Sequence, residues 1–371
     1  MKKQQTALIG MLALGLLGAC TSDVLLDHSA TTEAAKQDVC FSIAIPDMMT
    51  DTRTDGSTTD HASTRRSDRG GLTNVDMNHY DLRYQIAVYT LGDDTTEPSL
   101  VWREPTTTLD EYAPVSFSVR LTPNRTYRVI AWADFVKQNT TADLHYLTDD
   151  LAHIDLVEAS ALTLNDESRD AFFISDTIHV GATSYSKSLT LRRPFAKLRI
   201  VTTDWHLYGQ DLEMPDYVEI GYKNCNRYSG LDLLTSKATG KVALSDDDAS
   251  RVIAFSELAE AKDYALGYDS SDNNRTLMVD YLMTDDLGDQ EPIHFTFETK
   301  LGDKTITAWD IDTDIPVRRN WLTTLIGNML TFGGKFTVDI DDVFENEYVV
   351  GSDGDEVVAV SVPERFAPYL F

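Results

Sequence analysis

Cysteine is scarce in this chain of 371 residues, which holds three, Cys20, Cys40 and Cys225, and that scarcity excludes a fold built on a disulfide framework. Basic residues are few beside acidic ones, 32 Lys and Arg against 60 Asp and Glu, giving a formal net charge of −28. Nucleic-acid phosphates are held by Lys and Arg, so this balance argues against a nucleic-acid partner. It does keep an exposed protein in solution. The apolar run from Ala7 to Leu17 falls short of the roughly 20 residues a bilayer-spanning helix needs. The eight His are scattered, with no His-Glu-x-x-His and no paired-Cys metal motif. Neither a Gly-x-Ser-x-Gly elbow nor a phosphate-cradling glycine loop occurs. Carboxylates are numerous enough to contain a glycosidase pair, but the sequence singles none out. Asp310, Asp312 and Asp314 have the spacing that opens a calcium loop. Ile315 stands where that loop needs Gly, however, and Trp321 where it needs Glu. The expectation is a non-enzyme with no cofactor and no metal.

What is present starts at the amino end. Lys2 and Lys3 precede the apolar run, and Leu17-Gly18-Ala19-Cys20 follows it. A charged start, a short apolar stretch and small residues read as a secretory signal peptide over 1–19. Small residues directly before a Cys match the lipobox of bacterial lipoproteins, which makes Cys20 the lipid-attachment residue; the alternative is an ordinary signal with a coincidental Cys. One acyl chain anchors only marginally, so a multiply acylated Cys20, carrying diacylglycerol and a palmitate-type chain, would hold the protein without a spanning helix. Cys40 and Cys225 then remain, either as one bridge or as two free thiols.

Residues 20–38 are polar and aperiodic, a tether. Order begins where Val39, Phe41, Ile43 and Ile45 alternate with smaller residues, a strand with one large apolar face that Pro46 closes. Residues 47–74 turn polar again, with Arg53, Arg65, Arg66 and Arg69 among Thr, Ser, Asp and Gly in an exposed loop. Strand patterns then recur at 82–91, 115–121, 126–134, 171–178, 186–191, 195–201, 217–222, 276–283, 293–299, 304–309 and 335–340. Short helices are expected at 140–151 and 250–264. Arg192-Arg193-Pro194 interrupts the pattern, and the length favours two domains, so the boundary is placed there: 39–192, then 193–345, then a tail over 346–371. In that tail Val358, Val360 and Val362 alternate after an acidic, Gly-containing stretch. The fold class is all-β with minor helices, most simply two antiparallel β-sandwiches in tandem.

Three blocks carry a family resemblance: Tyr127-Arg128-Val129-Ile130-Ala131-Trp132-Ala133-Asp134-Phe135, Leu191-Arg192-Arg193-Pro194-Phe195-Ala196-Lys197-Leu198-Arg199-Ile200, and the stretch from Val317-Arg318-Arg319-Asn320-Trp321 to Thr331. Together with the lipobox, and in this order, they resemble fimbrillin-type surface lipoproteins of Gram-negative anaerobes, the type V pilin group. The resemblance implies two transthyretin-like sandwiches, lipoprotein export to the outer-membrane surface and, as in true pilins, proteolytic removal of the first strand before donor-strand assembly into a fimbrium. On that expectation Arg53, Arg65, Arg66 and Arg69 are candidate processing sites, with Arg66 or Arg69 foremost. Val39, Phe41, Ile43 and Ile45 form the removable strand, and Val358, Val360 and Val362 a donor or a closing strand. The partners implied are other fimbrial subunits, the outer membrane through the lipid, and a host or bacterial surface ligand. The alternative is a surface lipoprotein that binds glycans or host ligands without polymerising, for which Tyr208, Tyr217, Tyr222 and Tyr228 are the candidate aromatic cluster.

Overall fold

The computed structural model describes residues 36–45, 75–91, 96–157, 163–207, 215, 217–244, 251–254, 275–284, 292–330, 336–342 and 346–351. In the first half the strands are β1 (Gln37–Ala44), β2 (Tyr80–Thr90), β3 (Leu100–Arg103), β4 (Thr107–Leu109), β5 (Val115–Leu121), β6 (Arg125–Lys137), β7 (Tyr146–Leu147), β8 (His153–Leu156), β9 (Ala171–Val180) and β10 (Tyr185–Thr190). The second half carries β11 (Phe195–Thr202), β12 (Tyr217–Lys223), β13 (Cys225–Arg227), β14 (Gly230–Asp232), β15 (Lys237–Thr239), β16 (Val242–Leu244), β17 (Arg251–Ala254), β18 (Arg275–Met283), β19 (Ile293–Leu301), β20 (Lys304–Ile315), β21 (Trp321–Gly327), β22 (Phe336–Asp342) and β23 (Asn346–Gly351). Among the described residues the only helical elements are two 3-10 turns, Glu167–Arg169 and Trp205–Leu207. None is a helix long and apolar enough to cross a membrane.

Period-2 patterning decides which faces are covered. In β5, Val115, Phe117, Val119 and Leu121 are buried while Ser116, Ser118 and Arg120 between them are exposed, as a strand covered on one face requires. The turn that carries β5 into β6 works because Asn124 takes a left-handed φ of 56°, which Asn tolerates better than most residues. β6 is buried along nearly its whole length, because both of its faces are covered.

The first half is a sandwich. Its smaller sheet runs β10-β1-β5, and its larger sheet runs β3-β2-β6-β9 with β4 also paired to β2. Their facing side chains, among them Phe41, Ile43, Tyr84, Val129, Phe135 and Phe172, form one core. In the second half, β18-β11-β21-β22-β23 and β17-β12-β19-β20 enclose a second core around Leu198, Ile220, Phe295 and Phe297. A third core lies on the outer face of β2 and β6, where Ala87, Ile130 and Trp132 meet Phe195, Val279 and Tyr281 of β11 and β18. A small sheet ordered β15-β14-β8-β7 also crosses between the halves, since β8 pairs antiparallel with β14.

One helical expectation fails. Over 140–151 the chain bends into β7 instead, because Asp143 accepts from the Thr148 N–H and Asp150 from the Ala152 N–H. Such local side-chain bonds to the backbone compete with helix. Within 250–264 the described part, Arg251–Ala254, is strand β17 on the edge of the β12 ladder; the rest lies outside the described residues. β20 runs on past 309 to Ile315, so Asp310, Asp312 and Asp314 lie on a strand rather than in a loop that wraps an ion.

Candidate functional site

β1 is the middle strand of its sheet. It pairs antiparallel with β5, from Gln37 opposite Leu121 to Ile43 opposite Val115, and parallel with β10, from Val39 opposite Tyr185 to Ala44 opposite Thr190. Among the described residues, β5 and β10 are joined only through β1. Val39, Phe41, Ile43 and Ile45 all have 0% exposure and point into the first core. The other face is polar and wetter: Cys40 Sγ lies 3.1 Å from Ser118 Oγ, and Asp38 faces Arg120 at 3.5 Å. Each buried side chain stabilises the fold by roughly 1.5 to 3 kcal/mol, and the ladder on both sides adds main-chain bonds. Taking β1 away would open a one-strand gap between the β5 and β10 edges, exposing the first core, to which Tyr84 and Val129 of the facing sheet belong. Such a gap selects an extended segment with alternating apolar residues.

A second arrangement binds the halves together. Arg169 Nη1 donates to Asp280 Oδ1 at 2.8 Å and Nη2 to the Tyr281 carbonyl at 3.0 Å, while the Tyr222 hydroxyl donates to Asp280 Oδ2 at 2.9 Å. Glu167 Oε2 accepts from Lys197 Nζ at 2.7 Å and from the Tyr281 hydroxyl at 2.8 Å. Arg193 Nε donates to both carboxylate oxygens of Asp170 at 2.9 Å, and its guanidinium stacks 4.7 Å from the Phe172 ring centroid. All six charged groups are buried, in matched opposite pairs, which is the condition under which buried charge is tolerated. His145 closes one side, its Nε2 2.8 Å from Ser168 Oγ, and burial pushes its pKa down to about 4.

The residues singled out in the sequence fall into separate groups. Val39, Phe41, Ile43 and Ile45 are brought together on one buried face. Cys20, Arg53, Arg65, Arg66, Arg69, Val358, Val360 and Val362 lie outside the described residues. Cys40 and Cys225 form no disulfide with each other; Cys40 lies within β1 on its outward face and Cys225 in the core of the second half. The tyrosines do not gather: Tyr222 is in the second core, Tyr228 packs against the third, the Tyr217 hydroxyl donates to the Gly302 carbonyl, and Tyr208 is outside the described residues. Asp310 and Asp312 both hold Lys223, and Asp314 sits 2.8 Å from His294 Nε2. The junction residues escaped the sequence reading, because Arg, Lys, Asp and Glu are ordinarily surface residues. Their only trace was the density of charge in Asp166-Glu167-Ser168-Arg169-Asp170 and Arg192-Arg193 beside strand patterns.

Fold and strand arrangement define a tandem β-sandwich protein whose first strand fills the centre of a sheet. The chain belongs to a family described as being of unknown function (DUF6562), which matches residues 31–361. No curated protein matches it. Among solved structures it is similar to a proposed polysaccharide-binding protein (DUF1812) of Bacteroides thetaiotaomicron, at 11% identity and a TM-score of 0.42, over 87% of this chain and 100% of that one. It is similar also to the fimbrial anchor protein Mfa2 of Porphyromonas gingivalis, at 10% identity and a TM-score of 0.38, over 85% and 99% of the two chains. A fimbrial assembly protein of Parabacteroides distasonis gives 9% identity and a TM-score of 0.37, over 85% and 99%.

Proposed function

We propose that this chain is a non-enzymatic structural component of cell-surface fimbriae, exported as a lipoprotein on Cys20 and assembled by exchange of its first strand. The observation that carries the reading is the seat of β1: a central strand on which Val39, Phe41 and Ile43, with Ile45 just beyond its end, are wholly buried. In the precursor β1 acts as a plug for its own sandwich. Cleavage at one of Arg53, Arg65, Arg66 or Arg69 severs its covalent tie, and a neighbouring subunit's Val358, Val360 and Val362 take the places of its buried side chains. The sandwiches at 39–192 and 193–345 are then the two domains of one subunit, and its partners are further subunits and the outer membrane.

Parallel pairing with β10 and antiparallel pairing with β5 set the polarity of any replacement, since a reversed strand would lose the register of both ladders. Deleting residues 357–371 tests the donor. Loss of polymer with a folded monomer supports donation, and an unfolded monomer means that the segment belongs to its own chain's core.

A further inference from the structure

The seat of β1 has a shape that can be read position by position. Val39, Phe41, Ile43 and Ile45 are wholly buried, while Cys40, Ser42 and Ala44 between them are small and face outward. At the entry end Asp38 lies 3.5 Å from Arg120, and its N–H donates to Ser184 Oγ at 3.2 Å. At the exit end the Leu191 N–H donates to the Ala44 carbonyl at 2.9 Å, and Pro46, two residues on, has no N–H with which to extend the ladder. Near the carboxyl end the sequence repeats this order of residue kinds. Phe41-Ser42-Ile43-Ala44-Ile45-Pro46-Asp47 runs large, small, large, small, large, Pro, acid, and Val358-Ala359-Val360-Ser361-Val362-Pro363-Glu364 runs the same way. Asp355 stands as far before Val358 as Asp38 stands before Phe41.

The repeat selects one register, because each alternative meets a specific cost. A slip of one residue turns Ala359 and Ser361 into the core and the valines out to water. Placing Val362 at Ile43 puts Pro363 in the position of Ala44, opposite Thr190 and inside a strand with a neighbour on either side, where proline is disfavoured. A slip of two the other way puts Glu356 in the wholly buried place of Phe41. With Pro363 at Pro46, Val358, Val360 and Val362 all meet apolar seats, and Asp355 falls where Asp38 meets Arg120. Glu356 then stands at Val39, the first buried position, and the three valines are smaller than Phe41, Ile43 and Ile45. β1 is therefore the better occupant, and the carboxyl-terminal segment does not displace it while β1 stays tied to its own chain.

We propose that residues 355–363 enter a neighbouring subunit's vacated β1 seat in register with 38–46, Val358 in the place of Phe41, Val360 in that of Ile43 and Val362 in that of Ile45. This rests on the strand-replacement reading above and adds the register and the order of events: cutting comes first, since only loss of β1 admits the weaker occupant. Ser42 stands directly opposite the exposed Ser116 of β5, so Ala359 is expected there. Residues so placed on antiparallel strands are about 4.5 to 5.5 Å apart at Cα, within the span of a disulfide. The test combines Ser116→Cys, in the full chain, with Ala359→Cys, Val357→Cys or Ser361→Cys. Appendages sheared from expressing cells are oxidised, boiled and run without reductant. The expected result is a covalent ladder from the Ala359→Cys pair that collapses on reduction and is roughly tenfold stronger than from the other two, which report the two-residue slips. A stronger ladder from Val357→Cys or Ser361→Cys overturns the register, as does a link closed within one chain. If no pair links chains, unboiled samples tell the two failures apart: a ladder that persists unboiled sinks the register alone, and the absence of any ladder sinks strand replacement with it.

Discussion

Arg169 and Asp280 stand 111 residues apart in the chain and 2.8 Å apart in space, with side-chain exposures of 1% and 0%. The pair spans the two halves, and Tyr222 and the Tyr281 carbonyl complete the hydrogen bonding around it. Asp280→Asn removes the negative member and leaves a buried guanidinium without its counter-charge. Loss of one partner of a buried pair destabilises by about 3 to 5 kcal/mol. Urea denaturation followed by tryptophan fluorescence is expected to show that loss, with the midpoint lowered; a change below about 1 kcal/mol would mean that the junction is wet.

His145 gives the junction a pH dependence of known sign. Burial holds its pKa at about 4, below the ordinary 6.5, so the folded protein keeps it neutral where the unfolded chain would protonate it. The associated stability is fully present above pH 6.5 and is lost progressively as pH falls towards 4. His145→Asn should flatten that part of the stability profile, measured as the wild-type-minus-variant difference in unfolding free energy between pH 7 and 4. An unchanged slope would refute the assignment.

Phe41 and Ser42 are neighbours on β1 with opposite environments, one wholly buried and the other exposed. Phe41→Ala should cost about 3 to 5 kcal/mol through the cavity it leaves, while Ser42→Ala stays within about 0.5 kcal/mol. Thermal unfolding of the two variants checks the contrast. Equal effects would mean that β1 is not anchored by its alternating face.

Cys20→Ala should shift the protein from the membrane fraction to the soluble one or block removal of the leader. Mass spectrometry of the wild type should show an acylated amino-terminal Cys20. An unmodified Cys20 on a soluble protein would contradict lipid anchoring.

Much of the strand content was legible because alternation survives wherever a strand has one covered face. Val115 to Leu121 emerged with the bounds it has in β5, and the Val39, Phe41, Ile43, Ile45 face emerged intact. Pairing was not legible: nothing in 39–45 specifies a parallel partner in β10, since register is set by the whole sheet. Strands as short as Tyr146–Leu147 and Thr107–Leu109 hold too few residues to show a period. Nor did composition reveal that Arg169, Arg193 and Lys197 are interior. A charge is hidden only when its partner is brought to it by the fold, and Asp280 reaches Arg169 from β18. Asp310, Asp312 and Asp314 misled in the other direction, as a loop-like spacing that is an alternate-residue face of β20.

The central claim is that β1 is removed and its place taken by a strand of a neighbouring subunit. Its most direct test is to shear appendages from expressing cells, separate the material without boiling, and sequence the amino terminus of the subunits in it. The account expects a ladder of multiples, each subunit starting just after one of Arg53, Arg65, Arg66 or Arg69 and lacking residues 39–45. A protein that forms no ladder and retains Cys20 and β1 at its amino end would contradict it.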